Sequence, residues 1–594
     1  MNPHRSQQQI LSVLQRVGPK DLRIPDTVRL SIPFKEHLRT YLAELTDFAE
    51  TCRGSVIPSL PYSYFKLFHE TGNRSMYETS DRGFFRRRKR LVAFGILAWL
   101  YEREEDIREL EDIIWAICDE YTWSLPAHIP AEAFTSQLES QAYTVDLFAA
   151  ETADALAEIV LLLGEKLSPL VRKRIANALE ERIFRRVAKA DHAWMGYTFN
   201  WSAVCAGAVG MAAICTITDE AYLSHILSRL LPAFDAYLSG FPEDGACLEG
   251  LSYWQFGFRF FVSFADMLLR RTAGEMDLFD HPKVPKIAAF QQKCFFPGGR
   301  TLSFSDGNSR AAYRPWLTDY LSRKYADVTV PPGVSRHPSY THSDSTSWND
   351  ALRLLIWTEE PDQTAAAFAP CYLLPQAQWF IGHSPMGAGI AAKAGYNEEP
   401  HNHNDVGSFQ YFLNGEEMLC DLGAGQYTRQ YFHGNRYDFL ACGSQGHNVP
   451  MIDGCTQRFG KEACASEVIL NENGITMEMV AAYGLEALQS LTRSICFDTR
   501  SGCILLTDTF ALVGTHEICE RFITYGEVVP GKEHVLILLN GQHLRIDFDS
   551  EQWLPSVSPL SFVASGGIER NLFALDFKTM ATDNSTFLLR VTPV

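Results

Sequence analysis

The chain has 594 residues, about four times the usual domain length, so at least two domains are expected. Its 46% hydrophobic and 12% aromatic residues exclude a collagen, a coiled coil or a disordered polymer and supply a large core. With 53 basic against 71 acidic side chains the net charge is −18, which disfavours non-specific nucleic-acid binding.

The first thirty residues scatter polar side chains among apolar ones and carry no apolar core ahead of a small-residue cleavage site. The longest apolar run, roughly Leu91 to Tyr101, falls short of the ~18 residues of a membrane helix. Fourteen cysteines run from Cys52 to Cys519 without a CxxC pair. In a chain this long they read as reduced, mostly buried thiols. These features predict a cytoplasmic enzyme with no membrane or nucleic-acid partner. The cluster Arg82, Arg86, Arg87, Arg88, Lys89 and Arg90 reads as a solvated helix face, offset by the acidic run from Glu102 to Asp112.

From about residue 35 to 320 apolar residues recur at three and four, most clearly from Val145 to Leu167 and from Ala203 to Ile217. Phe241-Pro-Glu-Asp-Gly245 separates a helix ending near Leu238 from one starting near Leu248. So many successive helices predict a helical solenoid or toroid over 1–355. Residues 325 to 350, rich in Pro, Ser, Thr and His, read as a connector or an ordered loop crossing between domains. Over 356–594 the period changes to two. Runs such as Ser408 to Leu413, Met418 to Leu422, Ser466 to Leu470, Ile504 to Phe510, His534 to Leu539 and Thr586 to Val591 alternate with Gly, Asn and Asp turns. That pattern predicts an antiparallel β-sandwich. Asn414-Gly415 marks a hairpin, because both central residues of a type I′ turn need positive φ.

The densest chemical constellation is Pro400-His401-Asn402-His403-Asn404-Asp405, followed by Asp421-Leu-Gly and His447-Asn448. Two histidines with a later Asp and His suit zinc or manganese, although histidines of a β-domain are often satisfied by hydrogen bonds instead. A regular two-residue hairpin sets Asp421 opposite Ser408, with the wrong parity to share a face with His403. A common site therefore requires a turn or bulge between Asn404 and Gly407. Glu249 and Tyr253, at i and i+4, are expected on one helix face. Trp194, Tyr197 and Trp201 either pack a core or form sugar-stacking walls. No phosphate loop, HExxH or GxSxG is found. Asp244, Glu249 and Asp306 keep glycoside hydrolysis open, since carboxylates can meet across a helical toroid. A non-catalytic glycan-binding protein is a third reading.

The order of motifs resembles the heparinase II/III-like polysaccharide lyases. The resemblance rests on Asn200-Trp201, Glu249-Gly250 with Tyr253, the HxHxD run with Gly407-Ser408-Phe409, Asp421-Leu-Gly, His447-Asn448 and Ile452-Asp453-Gly454. It implies an (α/α) toroid followed by an antiparallel β-sandwich, and cleavage of uronic-acid-containing glycans, glycosaminoglycans first, by β-elimination. By resemblance Asn200 neutralises the substrate carboxylate, Tyr253 is the general acid/base, and His401 is a second base. His403, Asp421 and His447 match the ligands of a structural divalent metal, zinc before manganese. Trp194, Trp201, Glu249 and Arg436 are the substrate-binding candidates, Glu249 by orienting Tyr253 or a nearby basic group. The expected partner is an acidic poly- or oligosaccharide, with room for a homodimer. For Tyr253 to take the C5 proton, cationic neighbours are expected to lower its pKa from the reference near 10.

Overall fold

A computed structural model describes residues 6–79, 82–129, 143–341, 346–360, 367–432 and 435–594. The helical half is built around Asn200–Thr216, whose residues are small (SAVCAGAVGMAA) and almost all buried. Small residues let its neighbours approach closely. A Cβ on Gly207 would sit 2.8 Å from the Phe260 carbonyl oxygen, and one on Gly210 would sit 2.4 Å from the Phe264 ring. The partner helices are Leu147–Leu163, Glu220–Ser239 and Leu251–Arg271. The last helix, Trp348–Trp357, returns against Phe84–Tyr101 and Leu147–Leu163 and closes the ring.

Two expectations for this half are corrected. Arg87, Arg88, Lys89 and Arg90 are buried. Arg87 and Arg88 each reach Glu120 at 2.6 Å, and Arg90 reaches Glu109 at 2.5 Å. The arginines therefore form an internal ion-pair network that ties neighbouring helices, because a buried guanidinium must find an anion. The segment 325–341 does not cross between domains. Ser339, Tyr340 and Thr341 all donate to Glu44, and the Tyr340 hydroxyl donates to the Lys89 carbonyl at 2.7 Å, so it lies on the helical half. Residues 342–345 of that stretch lie outside the described residues.

Among the described residues the sheet half has a two-stranded ribbon of Tyr396–Asn397 with Gly460–Cys464 and two large antiparallel sheets. One runs Cys371–Leu374, Trp379–His383, Ala388–Lys393, Phe409–Leu413, Glu416–Leu419 in that order. The larger, ten-stranded sheet is centred on the long pair Ile504–Thr524 and Ile568–Pro593. Phe380, Ile390, Phe409 and Tyr411 of the first share one core with Leu491, Leu506, Phe522, Phe577 and Phe587 of the second. The chain is thus a helical toroid followed by an antiparallel β-sandwich.

The Asn414-Gly415 turn has φ of 48° and 87° and pairs Leu413 with Glu416. The ladder then slips: Phe412 faces Glu417 but Tyr411 faces Leu419. This bulge changes the parity of everything after it on the second strand, including Asp421. On the first strand, Gly407 takes φ 84°, and the Ser408 amide closes a turn on the Asp405 carbonyl at 2.9 Å. Both irregularities fall next to the ligand candidates.

Two loops fasten the halves together. Asp244 Oδ2 accepts the amides of Gln376 and Ala377 at 2.7 and 2.9 Å. Arg300 donates to the Gly415 carbonyl and to Glu416, both at 2.7 Å, and Gln410 bonds Ser303 through both backbone and side chain. The loop from 300 to 310 is thereby held against the sheet.

Candidate active site

That loop delivers Asp306 to the centre of the site. Its buried carboxylate accepts from His401 Nδ1 (2.7 Å), His403 Nε2 (3.0 Å), Tyr427 (2.9 Å), Tyr431 (2.6 Å) and Arg436 Nη2 (3.2 Å). Burial alone would raise its pKa, but the bonds from His401 and His403 hold it well below the usual carboxylate range.

His401 stands in the left-handed region at φ 56°, a conformation a non-glycine residue keeps only when its surroundings impose it. Arg436 is one of those surroundings. Its guanidinium lies 4.4 Å over the Tyr431 ring and donates to the carbonyls of His401, Asn402 and Tyr431 at 3.0, 3.0 and 3.1 Å. With Asp306 as well, its donors are spent on the protein, so Arg436 holds the His401 peptide in place rather than offering itself to a substrate. The Nδ1–H of His401 points at Asp306, which leaves the lone pair of a neutral ring on Nε2. Nε2 lies 3.6 Å from Glu249 Oε1.

Glu249 reaches this position from outside a helix. Leu251–Arg271 starts two residues later, after Gly250 at φ 95°. The expected i, i+4 face shared by Glu249 and Tyr253 is therefore corrected: a turn aims the carboxylate. Glu249 is buried and accepts from Asn200 Nδ2 at 3.2 Å. Burial raises its pKa, against the opposing pull of His401 and Asn200. Asn200 opens its own helix, pressed against Gly257, where a Cβ would stand 3.1 Å from Asn200 Cα and Cβ.

The Tyr253 ring stacks on the His401 imidazole at 4.3 Å between centroids and 21° between planes, and its hydroxyl bonds that of Tyr427. Asn200 and Tyr253 from the helical half thus meet His401 from the sheet half in one place. The expected lowering of the Tyr253 pKa is not what the surroundings produce. Burial pushes it well above 10 and the Asp306 carboxylate adds to the rise, outweighing the Tyr427 bond and Arg436.

Trp194 is only 3% exposed and donates its indole N–H to the Val145 carbonyl at 2.9 Å. It is a core residue with no face open to a sugar. Trp201 is half-buried, its ring centroid 4.9 Å from that of His128 in an edge-on contact. Asp244, whose carboxylate caps the 376–377 turn, is occupied by backbone amides and does not form a carboxylate pair with Glu249.

A second polar group adjoins the Asp306 network and shares His403 with it. Ligand atoms of His403, Asp421 and His447 lie within 4.8 Å of one another, all buried. Asp421 Oδ2 is 3.2 Å from His447 Nδ1, and Asp405 Oδ2 is 4.0 Å from the same nitrogen. His403 Nδ1, Asp405 Oδ2, Asp421 Oδ2 and His447 Nδ1 are buried and hydrogen-bonded to nothing. The other nitrogen of His447 bonds the Ala441 carbonyl at 3.1 Å, which fixes the tautomer that leaves Nδ1 with its lone pair. Two imidazoles and a carboxylate with ring and carboxyl atoms that no hydrogen bond engages fit a divalent cation of the zinc or manganese kind once the imidazoles are neutral.

Sequence reasoning missed the hub role of Asp306 and overlooked Tyr427 and Tyr431. The available signal was a pair of tyrosines four apart following Asp421-Leu-Gly. Beside Tyr253, Asp306 and Tyr427 a cavity of 540 Å³ opens between the two halves.

No protein-family model matches the chain, and no curated protein matches it. Solved structures do. A heparinase III is matched with a TM-score of 0.66 at 12% identity, over 99% of this chain and 89% of that one. A heparan sulfate lyase from Pedobacter heparinus is matched at 0.59 and 13%, over 98% and 92%. A chondroitin AC lyase of Streptomyces coelicolor A3, solved with chondroitin sulphate, is matched at 0.52 and 11%, over 96% and 82%. At this identity the likeness is one of fold, and over nearly its whole length this chain has the fold of heparinase III.

Proposed function

We propose that the protein is a lyase that cuts uronic-acid-containing glycans, glycosaminoglycans first, by β-elimination. The observation that carries this reading is the meeting of Asn200, Tyr253 and His401, Asn200 and His401 both at Glu249 and Tyr253 stacked on His401, beside the cavity that Tyr253, Asp306 and Tyr427 line.

Elimination removes the C5 proton of a uronate and expels the O4 leaving group. The obstacle is charge, because the neighbouring carboxylate resists a second negative charge on the enolate. The Asn200 amide supplies a neutral donor for that carboxylate, an interaction worth about 3 kcal/mol in comparable sites. Glu249, with its pKa raised by burial, takes up a proton when a second carboxylate arrives, because two adjacent carboxylates share one. His401 Nε2, backed by Asp306 on Nδ1, accepts the C5 proton. Tyr253, kept protonated by its surroundings, donates to the departing O4 and is reprotonated through Tyr427. The bond between O4 and C4 breaks, a C4–C5 double bond forms, and no water is consumed.

His403, Asp421 and His447 would hold a divalent metal, whose contribution is charge compensation for buried ligands that nothing else satisfies. The residues so fixed are the neighbours of His401, so its effect on turnover is one of position.

The test is incubation with heparan, chondroitin, hyaluronan and alginate oligomers under ultraviolet detection. An absorbing unsaturated product that Tyr253→Phe fails to make supports the reading. Hydrolysis products without a double bond, formed equally by the variant, overturn it.

A further inference from the structure

The cavity beside Tyr253 has walls from both halves of the molecule. The helical half contributes Tyr253, Asp306 and Arg310, and the sheet half contributes Tyr427, Tyr525 and Arg570. Its cations differ in state. Arg300 is committed to Gly415 and Glu416. Arg310 and Arg570 are exposed, and among the described residues neither guanidinium takes part in an ion pair or a hydrogen bond.

The carboxyls of the same cavity do not neutralise them. Glu416 is paired with Arg300, and Asp306 is spent on its five donors. Asp421 faces His447 at 3.2 Å. Glu417 is buried, and its carboxylate accepts from Gln410 at 2.6 Å. A chain of net charge −18 therefore presents two uncompensated guanidinium groups to one cavity, one from each domain. Such an arrangement raises the local concentration of anions at the cavity.

We infer that this cavity is an anion subsite in which Arg310 and Arg570 receive an anionic substituent, a sulfate ester or a second carboxylate, on the sugar adjoining the cleaved bond. The position relative to the bond rests on the lyase reading, since Tyr253 is what locates the bond. The chemistry rests on the guanidinium fork, which matches the paired oxygens of either group.

Calorimetric titration in the Tyr253→Phe background separates the two claims, because that variant is expected to bind without turnover. The ligands are a sulfated heparan tetrasaccharide, its desulfated counterpart and a hyaluronan tetrasaccharide, which carries carboxylates alone. Each is titrated into Tyr253→Phe alone and into Tyr253→Phe carrying Arg310→Ala, Arg570→Ala, both alanines or the corresponding lysines, while product absorbance and KM are read with the same arginine variants on Tyr253. The expected result is a loss of affinity of about tenfold for each alanine, smaller in the lysine variants and shrinking as salt is raised. A loss confined to the sulfated ligand identifies sulfate; an equal loss for all three identifies carboxylate. Unchanged affinity in the double variant, or no binding of any of the three, overturns the subsite. If the double variant weakens binding and no ligand ever yields unsaturated product, the subsite stands and the lyase reading falls. If unsaturated product forms and neither KM nor Kd responds to the double variant, the lyase reading stands and the subsite falls.

Discussion

Around Asp306, five donors converge on one carboxylate and every charge has its partner. On the far side of His403, toward Asp405, Asp421 and His447, four buried polar atoms have no hydrogen bond among the described residues. The first cluster is complete as the chain folds, and its work is to hold His401 in a conformation it would not choose. The second presents polar atoms that no protein group engages, and a buried group without a partner costs about 1–3 kcal/mol. The comparison separates scaffold from socket within a few residues of sequence.

The strongest way to break this comparison is at Tyr253, where scaffold meets substrate. Tyr253→Phe keeps the ring stacked on His401 and removes only the hydroxyl. It is expected to lower kcat by about 10²–10⁴-fold with an unchanged melting temperature, measured by product absorbance and calorimetry. Asp306→Asn attacks the scaffold itself. It leaves Arg436 buried beside a neutral amide and is expected to cost about 3–5 kcal/mol of stability, read by denaturant unfolding. The sign with pH follows from the depressed pKa of Asp306. Its contribution is present above the unfolded carboxyl value of about 4 and drains away as pH falls through the depressed folded value. The parent and variant should therefore converge in acid.

Asn200→Ala removes the proposed carboxylate donor and should cost about 10²–10³-fold in kcat/KM, leaving the metal content unaltered. Asp421→Asn attacks the socket, with an expected loss of about 10–100-fold in metal affinity and a smaller loss of turnover, measured by competition with a chelator. For the ion-free site, burial tends to lower the His403 pKa, but Cys442 and Asp306 raise it to about 10. A cation must displace that proton, so metal affinity is expected to climb as pH rises toward that value, with proton release on binding. A pH-independent affinity would show that His403 is not a ligand. The smallest effect is expected at Gly257. Gly257→Ala pushes a methyl group against the start of the Asn200 helix and should cost about 1–3 kcal/mol, with a matching fall in turnover if Asn200 shifts.

The comparison of the two clusters also explains what could be read in advance. The division into helices then strands, the Asn414-Gly415 turn and the buried small-residue helix are local matters of period, turn chemistry and side-chain size, and these are written residue by residue. The motifs that carry Asn200, Tyr253, His401 and the trio His403, Asp421 and His447 were equally visible, as residue types in order. Their roles remain for the assays above.

What only the tertiary structure decided is how distant groups share charge and space. The sequence showed six basic residues around Arg87 and an acidic run that includes Glu109, but not the burial of that helix face or Glu120 folded against Arg87 and Arg88. It showed Arg436, Trp194 and Asp244 as polar or aromatic candidates, and folding spent their donors and acceptors on backbone groups far away in the chain. It suggested that Tyr253 is surrounded by cations, whereas the loop fastened by Arg300 and Gln410 brings Asp306 against it instead. Local sequence determines which conformation and which chemistry a segment can have. Desolvation and Coulomb interactions depend on distances between segments hundreds of residues apart, and those exist only once the two domains have closed on each other.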